Sequence, residues 1–439
     1  MKRFRLTSVQ IILGGFLIMI LAGACLLCLP FSSASGQFTP FPEALFTATS
    51  ATCVTGLIVH DTATYWSLFG KLVILTLIQI GGMGVVTIAV AIGLMSGKKI
   101  SLFERSVMQD SISADQVGGI LRLTKFILKG SACVEGIGAV LLFPVFIRNN
   151  PPIRAIGLSV FHSVSAFCNA GFDLMGSIEQ YSSLTHYGTN APLNVIIMTL
   201  IVVGGIGFAT WDDIQKNKWK LHRYRLQSKL ILVTSLILIV IPAVYFFCFE
   251  FTGMPLGQRI LYSLFQSVTA RTAGFNTADQ AALSETGIIM MIFLMLVGGS
   301  PGSTAGGMKT TTLAIMFLSC ISVFHRHDDA TVFGRRIPPE IVRNATAIFM
   351  LYMQLFVVIG CIISRIEGID LLPCLYETAS AVGTVGLTTG ITPDLCTASR
   401  ILLIFLMILG RVGGLTMIYA LPQAHTVSRK LPKEHVNVG

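Results

Sequence analysis

One motif recurs four times along the chain, and it restricts the fold to an internally repeated one. Ala44 to Leu57 reads ALFTATSATCVTGL, Phe161 to Phe172 reads FHSVSAFCNAGF, Phe265 to Phe275 reads FQSVTARTAGF, and Tyr376 to Leu387 reads YETASAVGTVGL. Each copy holds an aromatic residue, a run of Ser, Thr and Ala, and a Gly followed by Leu or Phe. The glycines are Gly56, Gly171, Gly274 and Gly386, ten residues after the aromatic in three copies and nine in the third. Small-residue runs arise by chance in apolar chains. Four ordered copies, each between long apolar segments, are an internal-repeat signal.

Composition supplies the solvent. Of 439 residues, 53% are hydrophobic and 12% charged, with a mean hydropathy of +0.76, which is the profile of a polytopic membrane protein. The net charge of +10 could point to nucleic acid, but its placement argues for topology. Residues 1–8, 97–129, 214–229, 325–343 and 422–439 carry 22 of the 31 lysines and arginines. The segments 31–68, 148–190, 251–284 and 367–395 carry four: Arg148, Arg154, Arg259 and Arg271. This positive-inside bias places both termini in the cytoplasm. The apolar run Val9–Pro30 follows Lys2, Arg3 and Arg5 like a signal peptide, but it is long enough to span and Ser32–Gly36 is a poor cleavage site. It is read as the first membrane helix. Cys25 and Cys28 form a CxxC within that helix, with no second pair or histidine nearby, so packing rather than metal binding accounts for them.

Each repeat then comprises an apolar span, a short re-entrant helix ending at its Gly, and a second apolar span. The expected segments are Val9–Pro30, Pro42–Thr52 and Phe69–Met95; Leu121–Ile147, Ile153–Phe167 and Leu193–Thr210; Leu226–Phe249, Leu256–Ala270 and Thr286–Val323; and Ile341–Ile363, Leu371–Val382 and Ile401–Leu421. Every re-entrant helix has proline near its start (Pro42, Pro152, Pro255, Pro373), where a missing N–H is tolerated. The expected architecture is an all-α membrane protein of four membrane–pore-loop–membrane repeats, eight spanning helices plus four re-entrant half-helices, around a pseudo-fourfold pore. The repeats would occupy residues 1–96, 97–216, 217–325 (with a broken second helix) and 326–421, followed by a cytoplasmic tail, 422–439.

Inside a bilayer, non-helical backbone survives only where protein buries it or it lines an aqueous cavity. A half-helix ending in a Gly-centred turn can aim backbone carbonyls at a shared axis, and such oxygens can replace the hydration shell of an alkali cation. Glycine suits the narrowest point because it accepts positive φ and puts no side chain into the lumen.

The returning spans carry a second echo: Gly81-Gly82-Met83-Gly84, Gly204-Gly205-Ile206-Gly207, Gly298-Gly299 and Gly413-Gly414. Close helix packing accounts for three of these. The third differs, because Gly298 to Thr312 reads GGSPGSTAGGMKTTT, and five glycines with a proline cannot hold a straight apolar helix. The run resembles a Walker A loop, but Met308 separates Gly307 from Lys309 and no strand precedes it, so a nucleotide site is set aside. An unwound loop under the filter that blocks or opens the pore is the better reading. Arg411, near the middle of the last span, is expected to face the pore or the gate, with structural pairing as the alternative. Lys309 serves the gate or snorkels to the cytoplasmic surface. Glu135 forms a helix–helix hydrogen bond or couples protons. His162 and Glu377 anchor their half-helices, and Arg271 reaches the outer vestibule. His325 and His327 lie on a charged loop with Asp328 and Asp329, a solvated face. No enzymatic site emerges.

With these pieces assembled, the chain resembles the Trk/Ktr/HKT superfamily of cation transporters, most of all the Ktr-type membrane subunit of bacterial potassium uptake. The residues that carry the resemblance are Thr52-Cys53-Val54-Thr55-Gly56-Leu57, Phe167-Cys168-Asn169-Ala170-Gly171-Phe172, Arg271-Thr272-Ala273-Gly274-Phe275-Asn276 and Gly383-Thr384-Val385-Gly386-Leu387. To them are added Gly298-Gly299-Ser300-Pro301-Gly302-Ser303-Thr304-Ala305-Gly306-Gly307, Lys309 and Arg411. The resemblance implies potassium selectivity at Gly56, Gly171, Gly274 and Gly386, a gate at the broken helix, a homodimer, and a cytosolic nucleotide-binding regulatory ring. It leaves room for sodium as an activator, and it implies no organic cofactor on this chain and no nucleic-acid partner. In some plant relatives the first filter glycine is serine, a change associated with sodium transport; here it is Gly56. A multi-pass protein of the bacterial plasma membrane is expected, surrounded by lipid. Two mechanisms remain: a channel-like permease driven by the membrane potential, and a proton- or sodium-coupled carrier using Glu135 or other buried polar groups.

Overall fold

The computed structural model describes residues 7–95, 101–111, 119–413 and Glu434. The expected tail (apart from Glu434), the junction between the first two repeats and the last span beyond Gly413 lie outside the described residues. A helix, a short helix, a Gly turn and a returning helix follow one another four times. The first set is α1 (Ser8–Cys28), α2 (Phe41–Thr52), α3 (Leu68–Met83) and α4 (Val85–Met95), followed by α5 (Leu102–Ser111). The second is α6 (Ile120–Phe146), α7 (Pro152–Phe167), α8 (Ala191–Gly205) and α9 (Phe208–Asn217). The third is α10 (Leu226–Tyr245), which runs on into a π turn, then α11 (Leu256–Thr269), α12 (Glu285–Leu296) and α13 (Thr310–Phe324). The fourth is α14 (Pro339–Glu367), α15 (Leu371–Gly383) and α16 (Thr397–Val412). A hairpin, β1 (Thr331–Val332) with β2 (Arg335–Arg336), joins the last two sets, and positive φ at Phe333 and Gly334 gives it the turn that two-residue hairpins favour.

Local chemistry sets the ends. Thr7 and Gln10 form a capping box on α1. The side chains of Ser67, Asn190 and Ser284 each accept a backbone N–H in the first turn of α3, α8 and α12. The four short helices end within one residue of their expected bounds. Among the described residues four single helices are long and apolar enough to cross a membrane, Ser8–Cys28, Ile120–Phe146, Leu226–Glu250 and Pro339–Glu367, and two bent pairs bring the number to six if each is one span. The buried apolar side chains fall mainly into two clusters. One joins Leu27, Trp66, Phe146 and Phe167; the other joins Phe246, Met291, Tyr352 and Leu406. Ile18, Val140, Leu236 and Val358 are exposed on the outer faces, as lipid contact requires.

Two of the returning segments are not the straight spans expected. α3 and α4 meet at 94° and α8 and α9 at 96°. The pivots are Gly84 (φ 86°), at the C-cap of α3, and Gly207 (φ 89°), at the N-cap of α9, while α16 ends the same way at Gly413 (φ 93°). Packing is therefore only half of what the Gly clusters do. Three residues before each pivot, Gly81, Gly204 and Gly410 lie so close to a short helix that an added Cβ would fall on the carbonyls of Thr52, Phe167 and Val382. The cluster clamps the half-helix with one glycine and turns the chain with another. At Gly204 a side chain would also meet Thr304 Oγ1 at 2.8 Å, whereas nothing lies within 4 Å of Gly253. Gly204→Val should therefore destabilise the detergent-extracted protein by about 1–3 kcal/mol. Gly253→Val is the matched control, and equal melting temperatures for the two variants would contradict the clamp.

Candidate ion pathway

The four motif glycines close on one another in chain order. A Cβ on Gly56 would stand 2.5 Å from the Ala170 carbonyl and 3.1 Å from Gly171 Cα. One on Gly171 would stand 2.9 Å from both the Ala273 carbonyl and Gly274 Cα, and one on Gly274 would meet the Val385 carbonyl, with Gly386 Cα at 3.4 Å. One on Gly386 would meet the Thr55 carbonyl, with Gly56 Cα at 2.8 Å. All four have positive φ, at 97°, 69°, 80° and 93°. Two residues earlier each copy holds a second left-handed residue, this time not glycine: Val54, Asn169, Thr272 and Thr384, with φ of 57°, 58°, 66° and 51°. Such conformations cost about 1–2 kcal/mol per residue and persist only where the surroundings impose them.

The Ser/Thr run supplies that imposition. In the first and fourth copies, Ser50 and Ser380 accept the N–H of Gly56 and Gly386, each at 3.0 Å. In the second and third, Ser165 and Thr269 donate to the carbonyls of Phe172 and Phe275. One hydroxyl per half-helix thus fastens the turn that follows it. Asn169 crosses to the third copy, with Nδ2 3.3 Å from Thr272 Oγ1 and 3.4 Å from the Arg271 carbonyl.

Against one end of this ring lies the Gly-rich break. Residues 297–309 are non-helical, so Thr310–Thr312, expected in the loop, instead open α13. The base of the loop is closed by Gly298 N–H to Met308 O (2.7 Å) and Thr310 N–H to Gly299 O (3.1 Å). Its middle is tied to α8 and α9: Ser300 N–H donates to Gly205 O, Thr304 N–H to Gly204 O, and Phe208 N–H to Gly302 O. Thr304 Oγ1 donates to Phe167 O at 3.0 Å, while Gly306 and Gly307 press on Thr384 and Gly383 with no room for a side chain.

Arg411 donates to the carbonyls of Thr304 and Gly81, and to Gly82 O at 3.0 Å, so it joins the loop to the first repeat as well as facing it. Lys309 does not snorkel: its Nζ folds back onto Ala305 O (2.8 Å) and Gly306 O (3.3 Å). Next to both basic groups is a cavity of about 130 Å³ that Asp110, Phe208, Ser303 and Gly413 also line. Arg271, expected in the outer vestibule, turns the other way. It is buried, donates to Ser235 on α10 at 3.0 Å, and borders Val202, Gly205 and Gly299. A buried guanidinium needs an acceptor, and the Ser235 hydroxyl supplies one on that side. Glu135 accepts Gln79 Nε2 at 3.0 and 3.1 Å, a bond between α6 and α3. The free thiols of Cys53 and Cys168 are buried behind the turns.

Helices this long and apolar, packed around a ring of main-chain turns, belong to a multi-pass membrane protein. The chain is a member of the TrkH family of cation transport proteins, whose model matches residues 16–428, and which is a family of transporters rather than enzymes. The potassium/sodium uptake protein NtpJ of Enterococcus hirae is 40% identical over the whole of this chain and 98% of its own length. The Ktr system potassium uptake protein B of Bacillus subtilis is 35% identical over 100% of this chain and 98% of its own. The potassium transporter TrkH of Vibrio parahaemolyticus superposes with a TM-score of 0.75 at 20% identity, covering 98% of this chain and 87% of the other, which establishes the shared fold.

Proposed function

We propose that this chain is a channel-like potassium uptake permease of the bacterial plasma membrane, with eight spanning helices, four half-helices and both termini in the cytoplasm. The closed ring of Gly56, Gly171, Gly274 and Gly386 carries the reading, since it brings four main-chain turns to one point with no side chain between them. In this reading carbonyls of Thr52–Gly56, Cys168–Gly171, Arg271–Gly274 and Gly383–Gly386 replace potassium's hydration shell. The loop from Gly298 to Gly307, with Lys309 and Arg411, obstructs the cytoplasmic side. The names of the relatives support potassium as cargo and leave a place for sodium. A companion cytosolic ring is supported by the Ktr-system relatives and by the exposed basic residues Lys216, Lys218, Arg335 and Arg336. The homodimer rests on the resemblance; crosslinking in native membranes tests it, and monomers alone would remove it. Glu135, on which a coupled carrier would depend, is already held by Gln79.

In proteoliposomes, potassium uptake should follow the membrane potential with no pH or sodium gradient imposed, and sodium uptake should be at least tenfold slower. Uptake that vanishes without one of those gradients would replace the permease with a carrier.

A further inference from the structure

Directly after the aromatic of each motif stands a polar residue: Thr47, His162, Gln266 and Glu377. All four sit on half-helices, and three of them reach the chain beyond the filter glycine of their own repeat. Glu377 is completely buried. Its Oε1 accepts Thr388 Oγ1 at 2.5 Å and Thr389 N–H at 3.1 Å, and its Oε2 accepts Thr392 Oγ1 at 2.6 Å. His162 accepts the Leu174 N–H on Nε2 at 3.3 Å, which assigns the proton to Nδ1, 2.7 Å from Leu158 O. Gln266 exchanges hydrogen bonds with Gln280 at 2.6 and 3.3 Å, and the hydroxyl of Tyr376, from the next repeat, joins at Gln280 Oε1. Thr47 donates to Glu43 O, within its own helix.

The struts act on strained backbone. Thr384 and Gly386 are both left-handed, and the segment that leaves Gly386 runs straight to Thr388 and Thr389. A turn in such a conformation holds its shape only while both ends are fixed. Ser380 fixes the near end, and Glu377, with three donors on two oxygens, fixes the far end. No basic side chain pairs with Glu377 among the described residues, so its buried partners are the threonines and the Thr389 amide. A carboxyl group that takes three donors fixes more of the chain than an imidazole that takes one beyond its glycine.

We propose that Glu377 is a positioning residue for ion selection: by fixing the chain after Gly386 it sets the width of the filter, and His162 and Gln266 do the same for their repeats more weakly. This rests on the permease reading above.

The test compares the wild-type chain with Glu377→Ala, Glu377→Gln and the double variant Thr388→Val/Thr392→Val in proteoliposomes, reading potassium, rubidium and sodium flux beside the melting temperature of the same samples. Glu377→Ala should lower potassium-over-sodium discrimination about tenfold, while Glu377→Gln, which keeps an acceptor for the Thr389 amide, should stay within about twofold. The threonine double variant should move the ratio in the same direction as Glu377→Ala, and it decides the matter if that variant does not fold. A folded Glu377→Ala or double variant with the wild-type ratio would overturn the positioning role. Wild-type protein with no potassium-selective flux would remove the permease reading and the positioning role together.

Discussion

A chain carrying Gly56→Ser should still carry potassium but discriminate against sodium about tenfold less, a loss of ~1.4 kcal/mol in relative preference. Gly56 has φ 97°, a conformation that costs a residue with a side chain about 1–2 kcal/mol. The added Cβ would also stand 2.5 Å from the Ala170 carbonyl, an oxygen of the neighbouring turn. One of the two must move, so the first quarter of the ring widens or tilts. A site that holds potassium by a fixed set of oxygens loses most of its advantage when one set is displaced, because sodium, with its tighter hydration, is then penalised less. Gly386 is the stricter case, since its Cβ would fall directly on the Thr55 carbonyl, and Gly386→Ser should cut potassium flux itself. Both variants are read by potassium and sodium uptake in cells lacking other uptake systems, with surface abundance measured in parallel. Unchanged preference in both, and in the equivalent changes at Gly171 and Gly274, would remove the ring from ion selection.

The half-helices were legible because three signals coincided at each: a proline near the start, a Ser/Thr run and a terminal Gly. The break at Gly298 was legible because five glycines and a proline leave a helix no alternative. The bends at Gly84 and Gly207 were not, since a Gly pair that lets helices approach and a Gly that turns the chain look alike in one dimension. Arg271 was misplaced for a related reason: adjacency to the filter fixes where its Cα lies but not which way a long side chain leaves the axis, and Ser235, 36 positions away, settles that. The partners of Arg411 at Gly81 and Gly82 lie some 330 positions upstream, beyond any local pattern. The struts did leave a trace, the polar residue after each aromatic. His162 and Glu377 read as anchors of the half-helices, and their hydrogen bonds join those helices to the chain beyond Gly171 and Gly386.

Deleting Ser303–Gly306 should raise potassium flux several-fold or more and weaken its dependence on a cytosolic partner, with selectivity largely kept. The deletion is chosen for what it spares. The base of the loop is held by the Gly298–Met308 and Thr310–Gly299 bonds, and neither includes a deleted residue. What goes are two of the loop's contacts with the ring, Thr304 bound to the Phe167 carbonyl and Gly306 pressed on Thr384, while Gly307 stays against Gly383. Asn169 and Thr272 keep their own contact, so the turns above retain their shape. Arg411 loses the Thr304 carbonyl but keeps those of Gly81 and Gly82, and its charge stays beneath the ring. A guanidinium in that position repels cations through a low-dielectric medium, so part of the barrier should survive the deletion. Arg411→Ala alone should raise flux by less, because the loop keeps its ties to Gly204, Gly205 and Gly410 without it. The two changes share the Thr304 contact, so their effects should not simply add, and the double variant measures the coupling. If the deletion folds, reaches the membrane and conducts no faster than the parent, the segment braces the ring and the obstruction lies elsewhere. If Arg411→Ala exceeds the deletion, charge rather than backbone closes the path.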